Sequence, residues 1–285
     1  MKHSIVAGPI SRRIISISTL RLLGTGTSQG VPVIGCNCEV CTSADPRDRR
    51  LRTSALLTHA DKHFVIDAGP DFREQLLQTS VTEIEGVLIT HEHYDHTSGL
   101  DDLRPLIFRA GRDMPVYCLP RVAKEIRERF AYAFTDYPGV PKFDLREVTF
   151  EDTIDFNGTE IKLLEVQHGK IPIFGFRWGD LAYLTDVKEL GARTLVQCKG
   201  VNTAIISSLH REGTHSHLSL DESLYYLAKL EAKNGILFHF SHRMGRVAEL
   251  NPTLPNNVEC GYDGMLIVVA HPRGRSGLRP SLTPG

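Results

Sequence analysis

The hexapeptide His91-Glu92-His93-Tyr94-Asp95-His96 places three imidazoles and one carboxylate directly after the apolar run Gly86-Val87-Leu88-Ile89-Thr90. On an extended backbone residues 91 and 93 face one way and Glu92 the other. A turn over Tyr94 must then carry Asp95 and His96 to a neighbouring point. Two divalent ions a few ångströms apart suit this arrangement, one held by each pair. The helical His-Glu-x-x-His zinc motif is excluded, because residue 95 is Asp and the preceding run reads as a strand. A histidine-rich surface loop is the plain alternative.

A dinuclear centre needs more than four protein ligands, so polar residues stranded at later strand ends become candidates. His168 in Glu165-Val166-Gln167-His168-Gly169, Asp186 in Tyr183-Leu184-Thr185-Asp186 and His239 in Leu237-Phe238-His239 each follow an apolar stretch. Singly, each reads as an ordinary hydrogen-bonded side chain; their shared position sets them apart. Asp186 has two oxygens to offer two cations and is the candidate bridge. Asp67, in Val65-Ile66-Asp67-Ala68-Gly69, is expected to orient a ligand imidazole. A separate cluster, Cys36-Asn37-Cys38-Glu39-Val40-Cys41, supplies three thiolates in a short loop. A tetrahedral structural zinc needs a fourth ligand, and His242, three residues beyond His239, is the candidate. Cys118, Cys198 and Cys260 are isolated and read as small buried hydrophobes.

The elements that must position these residues are short. Strands are expected at Leu20–Gly24, Ser54–Thr58, His63–Asp67, Gly86–Thr90, Pro115–Cys118, Thr159–Val166, Gly175–Trp178, Ala182–Thr185, Thr203–Ser207, Gly235–Phe238 and Met265–Val269. Helices are expected from Pro70-Asp71 to about Gln78, from Pro120 to about Phe134 and from Leu220 to about Ala232. Strand runs with interspersed helices indicate stacked sheets covered by helices in one domain. A net charge of −1 over 285 residues gives no general pull toward nucleic acid, and no apolar run is long enough to span a membrane. Ser11-Arg12-Arg13 begins like a twin-arginine signal but leads straight into Leu20-Arg21-Leu22, without a small-residue cleavage site. Residues 1–18 are therefore expected to be an extension and the location cytoplasmic. Residues 272–285, rich in Arg, Gly, Ser and Pro, are expected to be a disordered tail. The oligomeric state stays open, a homodimer included.

His91-x-His93-x-Asp95-His96, followed in order by His168, Asp186 and His239, resembles the metallo-β-lactamase superfamily. The resemblance implies an α+β fold, a four-layer αββα sandwich over residues 19–271 with the metal site at its edge. It implies one ion on His91, His93 and His168, a second on Asp95, His96 and His239, and Asp186 between them. The loop from Gly24-Thr25-Gly26-Thr27-Ser28-Gln29-Gly30-Val31-Pro32 to the three cysteines is similar to the branch containing the phosphoribosyl cyclic phosphate phosphodiesterase of phosphonate breakdown. Asp67-Ala68-Gly69-Pro70-Asp71-Phe72-Arg73 and Asp101-Asp102-Leu103-Arg104-Pro105-Leu106 look like that branch too. Similarity to it implies hydrolysis of cyclic or alkyl phosphodiesters, small substrates that include nucleotide-like ones, with zinc or manganese in the dinuclear site.

In that reading Asp95 and Asp186 bind the two ions, and a bridging hydroxide attacks phosphorus in line. Two divalent ions less two carboxylates and one hydroxide leave about one positive charge, matched to a phosphodiester's single negative charge. His217, in Thr214-His215-Ser216-His217-Leu218-Ser219-Leu220-Asp221, aligns with the branch's catalytic histidine through its His-x-x-Leu-Asp pattern and would protonate the leaving alkoxide. His215 competes for that role. The rival enzyme class is a carboxylic ester or thioester hydrolase of the same fold, such as a lactonase or glyoxalase-like enzyme. Processing of tRNA 3′ ends usually calls for a long basic arm, and no Lys/Arg-rich insertion is visible. A zinc-stabilised binding module without catalysis is the alternative of another class, disfavoured because all seven dinuclear positions are filled.

Overall fold

The computed structural model describes residues 17–271. In chain order its strands are β1 (Ser18–Gly24), β2 (Ser54–His59), β3 (Lys62–Ile66), β4 (Gly86–Leu88), β5 (Met114–Cys118), β6 (Phe143–Glu147) and β7 (Thr153–Phe156). They continue as β8 (Thr159–His168), β9 (Ile171–Trp178), β10 (Leu181–Leu184), β11 (Thr203–Ser207), β12 (Asn234–Phe238), β13 (Val258–Cys260) and β14 (Leu266–Val269). Two seven-stranded sheets result, in the orders β14-β1-β2-β3-β4-β5-β6 and β13-β12-β11-β10-β9-β8-β7. Both are mixed: β3 to β6 pair in parallel, as do β10 to β13, and antiparallel strands complete each sheet.

Side-chain alternation sorts the second sheet into two faces. Ile161 and Leu163 of β8, Tyr183 of β10, Ile205 of β11 and Phe238 of β12 join the core that contains Leu20, Leu57 and Phe64 of the first sheet. Leu164, Val166, Leu184, Ile206 and Leu237 point the other way, into a core shared with Leu220, Leu227 and Val247 from helices. The helices Phe72–Leu77, Arg104–Ala110 and Pro120–Arg129 bury Phe72, Leu106, Ile107, Val122 and Ile126 in the first core. The architecture is therefore an α+β sandwich of helix, sheet, sheet and helix. The helix Leu220–Lys229 starts where expected, because Ser219 and Glu222 close a reciprocal capping box.

Boundaries differ in small ways. The first strand takes in Ser18, which lies opposite Val269 and His59. The helix from Pro120 stops at Arg129 and gives way to a 3₁₀ turn over Ala131–Phe134. The helix from Leu220 ends at Lys229 instead of Ala232. The expectations for residues 1–16 and 272–285 lie outside the described residues.

Candidate metal centres

Parallel strands of a sheet send their C-terminal ends to one edge, and the polar residues gather there. Asp67 follows β3, His91 and His93 follow β4, His168 closes β8, Asp186 follows β10 and His239 follows β12. The bond Phe174 N–H to Thr90 O, 3.0 Å, ties the two sheets beside this edge. Asp67, Asp186 and His239 have φ of 60°, 52° and 59°, in the left-handed region that non-glycine residues seldom occupy. Strain of this kind is stored where a chain must turn a particular side chain back toward a site. The turn after His93 is a one-turn helix, Tyr94–Thr97, that brings Asp95 and His96 round.

The expected ligands converge. His91, His93 and His168 bring their donor atoms within 4.8 Å of one another, as do His91, His96 and Asp186. His96 Nε2 lies 3.3 Å from Asp95 Oδ2 and 3.4 Å from Asp186 Oδ2, and His239 Nε2 lies 3.2 Å from Asp186 Oδ1. Asp186 thus contacts His96 and His239, expected on one ion, and also lies at ligand spacing from His91 and His168, expected on the other. His217 joins His168 and Asp186 at ligand spacing, with Nδ1 3.8 Å from Asp186 Oδ1, whereas His215 is exposed.

The far side of most rings is anchored, which fixes the tautomer that turns a lone pair inward. His96 Nδ1 and Asp67 Oδ2 are 2.7 Å apart, and Asp67 also accepts from the Thr90 N–H and hydroxyl. His91 Nδ1 meets Thr90 Oγ1 at 3.0 Å, His168 Nδ1 donates to Ser216 O at 2.9 Å, and His239 Nδ1 meets Thr53 Oγ1 at 2.7 Å. The Thr53 hydroxyl in turn donates to Gly26 O, and Thr185 Oγ1 donates to Asp186 Oδ2 at 2.5 Å. Thr53, Thr90, Thr185 and the Ser216 carbonyl were not visible as site residues in the sequence. Hydroxyls and carbonyls have no spacing signature; only the adjacency of Thr90 to His91 and of Thr185 to Asp186 hints at them.

The donor set fits cations. His96 Nε2 is buried with no hydrogen-bond partner among the described residues, although it faces two carboxylates. Burial opposes charge on His96, but Asp95, Asp67 and Asp186 outweigh it and hold the imidazole well above its ordinary pKa. Burial likewise opposes ionisation of Asp186, and His239, His96, His91 and His217 overcome it, holding the carboxyl well below the usual range. His91 and His239 are pushed down chiefly by burial, so they present neutral, metal-competent imidazoles. Burial also drives His217 down to about 3, against the pull of Asp186.

The second group is independent. Cys36, Cys38 and Cys41 place their sulfurs 3.2, 3.4 and 3.5 Å from His242 Nδ1. Two ligands of a tetrahedral Cys₃His zinc lie about 3.5 Å apart, from bonds of about 2.3 and 2.0 Å. Backbone donation within the loop, first from Cys41, lowers the Cys38 thiol to about 6, while burial raises Cys41 to about 11. Phe240 exchanges backbone bonds with Thr25 and Thr27, so one strand end aims His239 inward and His242 at the cysteine loop. Cys118, Cys198 and Cys260 are buried.

The chain matches the model of the β-lactamase superfamily domain over residues 62–240. It belongs to that superfamily. A crystal structure of a diphosphatase from the PhnP family is 35% identical with a TM-score of 0.84, covering 88% of this chain and 97% of that one. That neighbour places the superfamily member beside the phosphoribosyl cyclic phosphate phosphodiesterase branch. The octanoyltransferase of Porphyromonas gingivalis is 37% identical over 252 residues, 87% of this chain but 51% of that protein. The chain spans about half the length of the curated relatives it matches, so the transferase name describes a protein of which half lies outside the match. Zinc-bound PqqB from Methylobacterium extorquens shares the fold, with a TM-score of 0.73 at 17% identity over 87% of this chain and 99% of that one. The chain has the metallo-β-lactamase fold, and its His/Asp and Cys/His groups lie at spacings that could hold metal ions. No described helix is long and apolar enough to cross a membrane.

Proposed function

We propose that this protein hydrolyses phosphodiester bonds of small substrates at a dinuclear centre, with a structural zinc in the cysteine loop. His91, His93 and His168 would hold one ion and Asp95, His96 and His239 the other, with Asp186 between them. Divalent ions bound there supply Lewis-acid charge to a phosphoryl group and lower the pKa of water. Asp67, Thr90, Thr53 and the Ser216 carbonyl hold the imidazoles in the tautomer that faces the ions. Zinc suits the imidazole-rich set, and manganese competes where carboxylates contribute.

His217 supplies the proton. Its Nδ1 is buried without a hydrogen-bond partner among the described residues, beside Asp186, and its ring stacks over His239 at 5.4 Å. At rest the imidazole is neutral. An arriving phosphate anion adds negative charge that favours uptake of a proton from solvent by the imidazole, and that proton would then pass to the leaving oxygen.

The observation that carries the reading is the likeness to a PhnP-family diphosphatase over nearly the whole of both chains. Its name favours a second reading at the same site, cleavage of a diphosphate bridge, which differs only in the leaving group. The test is a rate comparison with metal-loaded protein on a cyclic alkyl phosphodiester, a diphosphate diester, a thioester and a lactone. Turnover of a phosphorus substrate far above the two acyl substrates is expected. Preference for the thioester or lactone would move the protein to the acyl-hydrolysing class.

A further inference from the structure

Four of the five ligand imidazoles have an anchor on the ring, but His93 does not. Among the described residues its ring hydrogen-bonds only to another expected ligand, at 2.9 Å from His91 Nε2, and the side chain is exposed. Its position must therefore be set through the backbone. Two arginines of the helix Pro120–Arg129 hold the residue before it. Arg121 Nε donates to Glu92 Oε1 at 3.1 Å, and Arg129 Nη1 donates to the Glu92 carbonyl. Arg129 Nη1 also donates to Thr97 Oγ1 at 3.2 Å, and the Thr97 hydroxyl donates to the His93 carbonyl at 3.0 Å. Both peptide carbonyls flanking the His93 nitrogen and α-carbon are thus held, directly or through one hydroxyl.

The arginines have a firm base. Val122, Ala123 and Ile126 bury one side of their helix in the first core, while residues 121, 125 and 129, at intervals of four, run along the other. Glu125 Oε2 holds Arg129 Nη2 at 3.2 Å. Because His91 and His93 face the centre, Glu92 faces away from it toward this helix. The Glu92–Arg121 pair is partly exposed, its side chains at 19% and 35%, and ion pairs near the surface add little to global stability. Their geometry is more telling than their strength.

We infer that Arg121 and Arg129 are positioning residues that set the reach of His93 into the metal centre by strapping Glu92 and Thr97. The inference rests on the proposed ion at His91, His93 and His168. It is tested by competing a zinc-binding chelator against wild type, Arg129→Ala, Arg121→Ala and Arg129→Lys, with cobalt(II) absorption spectra and melting temperatures measured alongside. The affinity of one of the two dinuclear ions should fall on the order of 10-fold or more in Arg129→Ala, with an altered cobalt spectrum and unchanged binding at the cysteine loop. Arg129→Lys, which can still donate to the Glu92 carbonyl, should recover part of the loss. Glu92→Gln combined with Arg121→Ala should cost no more than Arg121→Ala alone, since both break one contact. Wild-type affinity and spectrum in Arg129→Ala and Arg121→Ala, with only the melting temperature moved, would reduce the strap to a structural tether. If wild type itself held no more zinc than a His91→Ala, His168→Ala control, the dinuclear reading would fail and the inference with it.

Discussion

At the scale of single residues, the proposed centre depends on what stands behind each candidate ligand. His217 is the exception, a group at ligand spacing whose proposed work is proton transfer. Proton donation matters most when the leaving alkoxide is poor. His217→Ala should therefore retain its metal and lose on the order of 10²-fold or more on an alkyl or cyclic phosphodiester. On bis(p-nitrophenyl) phosphate, whose phenolate leaves unaided, the loss should be much smaller. Equal losses on both substrates would recast His217 as a phosphate-binding group, and a full-rate variant would return attention to His215. Loss of bound metal would make it a ligand instead.

At the scale of elements, the proposed zinc in the cysteine loop would be held with an affinity tied to protons. Cys38 is a thiolate above about 6, but Cys41 keeps its proton until about 11. Zinc must displace that proton at any ordinary pH, so apparent affinity should rise as pH rises from 6 to 8, by about tenfold per unit for each thiol still protonated. Chelator competition at several pH values measures it; a flat profile would mean the thiols do not ligate. Cys38→Ser should lose roughly one ion per chain and melt at a lower temperature, and full metal content would give the cluster another role. The loop after β3 is equally constrained: a Cβ on Gly69 would stand 1.9 Å from the Asp95 carbonyl oxygen, a backbone atom. Gly69→Ala should cost about 1–3 kcal/mol in denaturant unfolding and weaken the ion expected on Asp95 and His96. Unchanged stability would show that the one-turn helix yields freely.

The elements also explain what could be read in advance. The candidate ligands stood out because metal chemistry would need rare residue types at strand ends, and strand ends are marked by apolar runs such as Gly86–Thr90. Three strands escaped notice, β6, β7 and β13, and each is the edge of its sheet. Their burial is partial, as in β7, where only Ile154 and Phe156 of Thr153–Phe156 are buried. An edge strand with one wet face carries too few apolar residues to announce itself. The helix Arg104–Ala110 was missed because seven residues leave little periodicity, despite Pro105 in its first turn. Arg121 and Arg129 read simply as the charged side of an amphipathic helix, since nothing local shows what they reach.

At the scale of the molecule, the sandwich brings two sheet edges together so that ligands far apart in sequence meet. The first sheet contributes Asp67, His91, His93, Asp95 and His96, and the second contributes His168, Asp186 and His239. The cysteine loop, leaving β1, folds back onto the end of β12 through His242. Two separate centres in one chain make the central claim countable. Elemental analysis of wild-type protein purified without added metal should find about three tightly bound ions per chain, two in the dinuclear centre and one in the cysteine loop. A reproducible single ion per chain would contradict the dinuclear account.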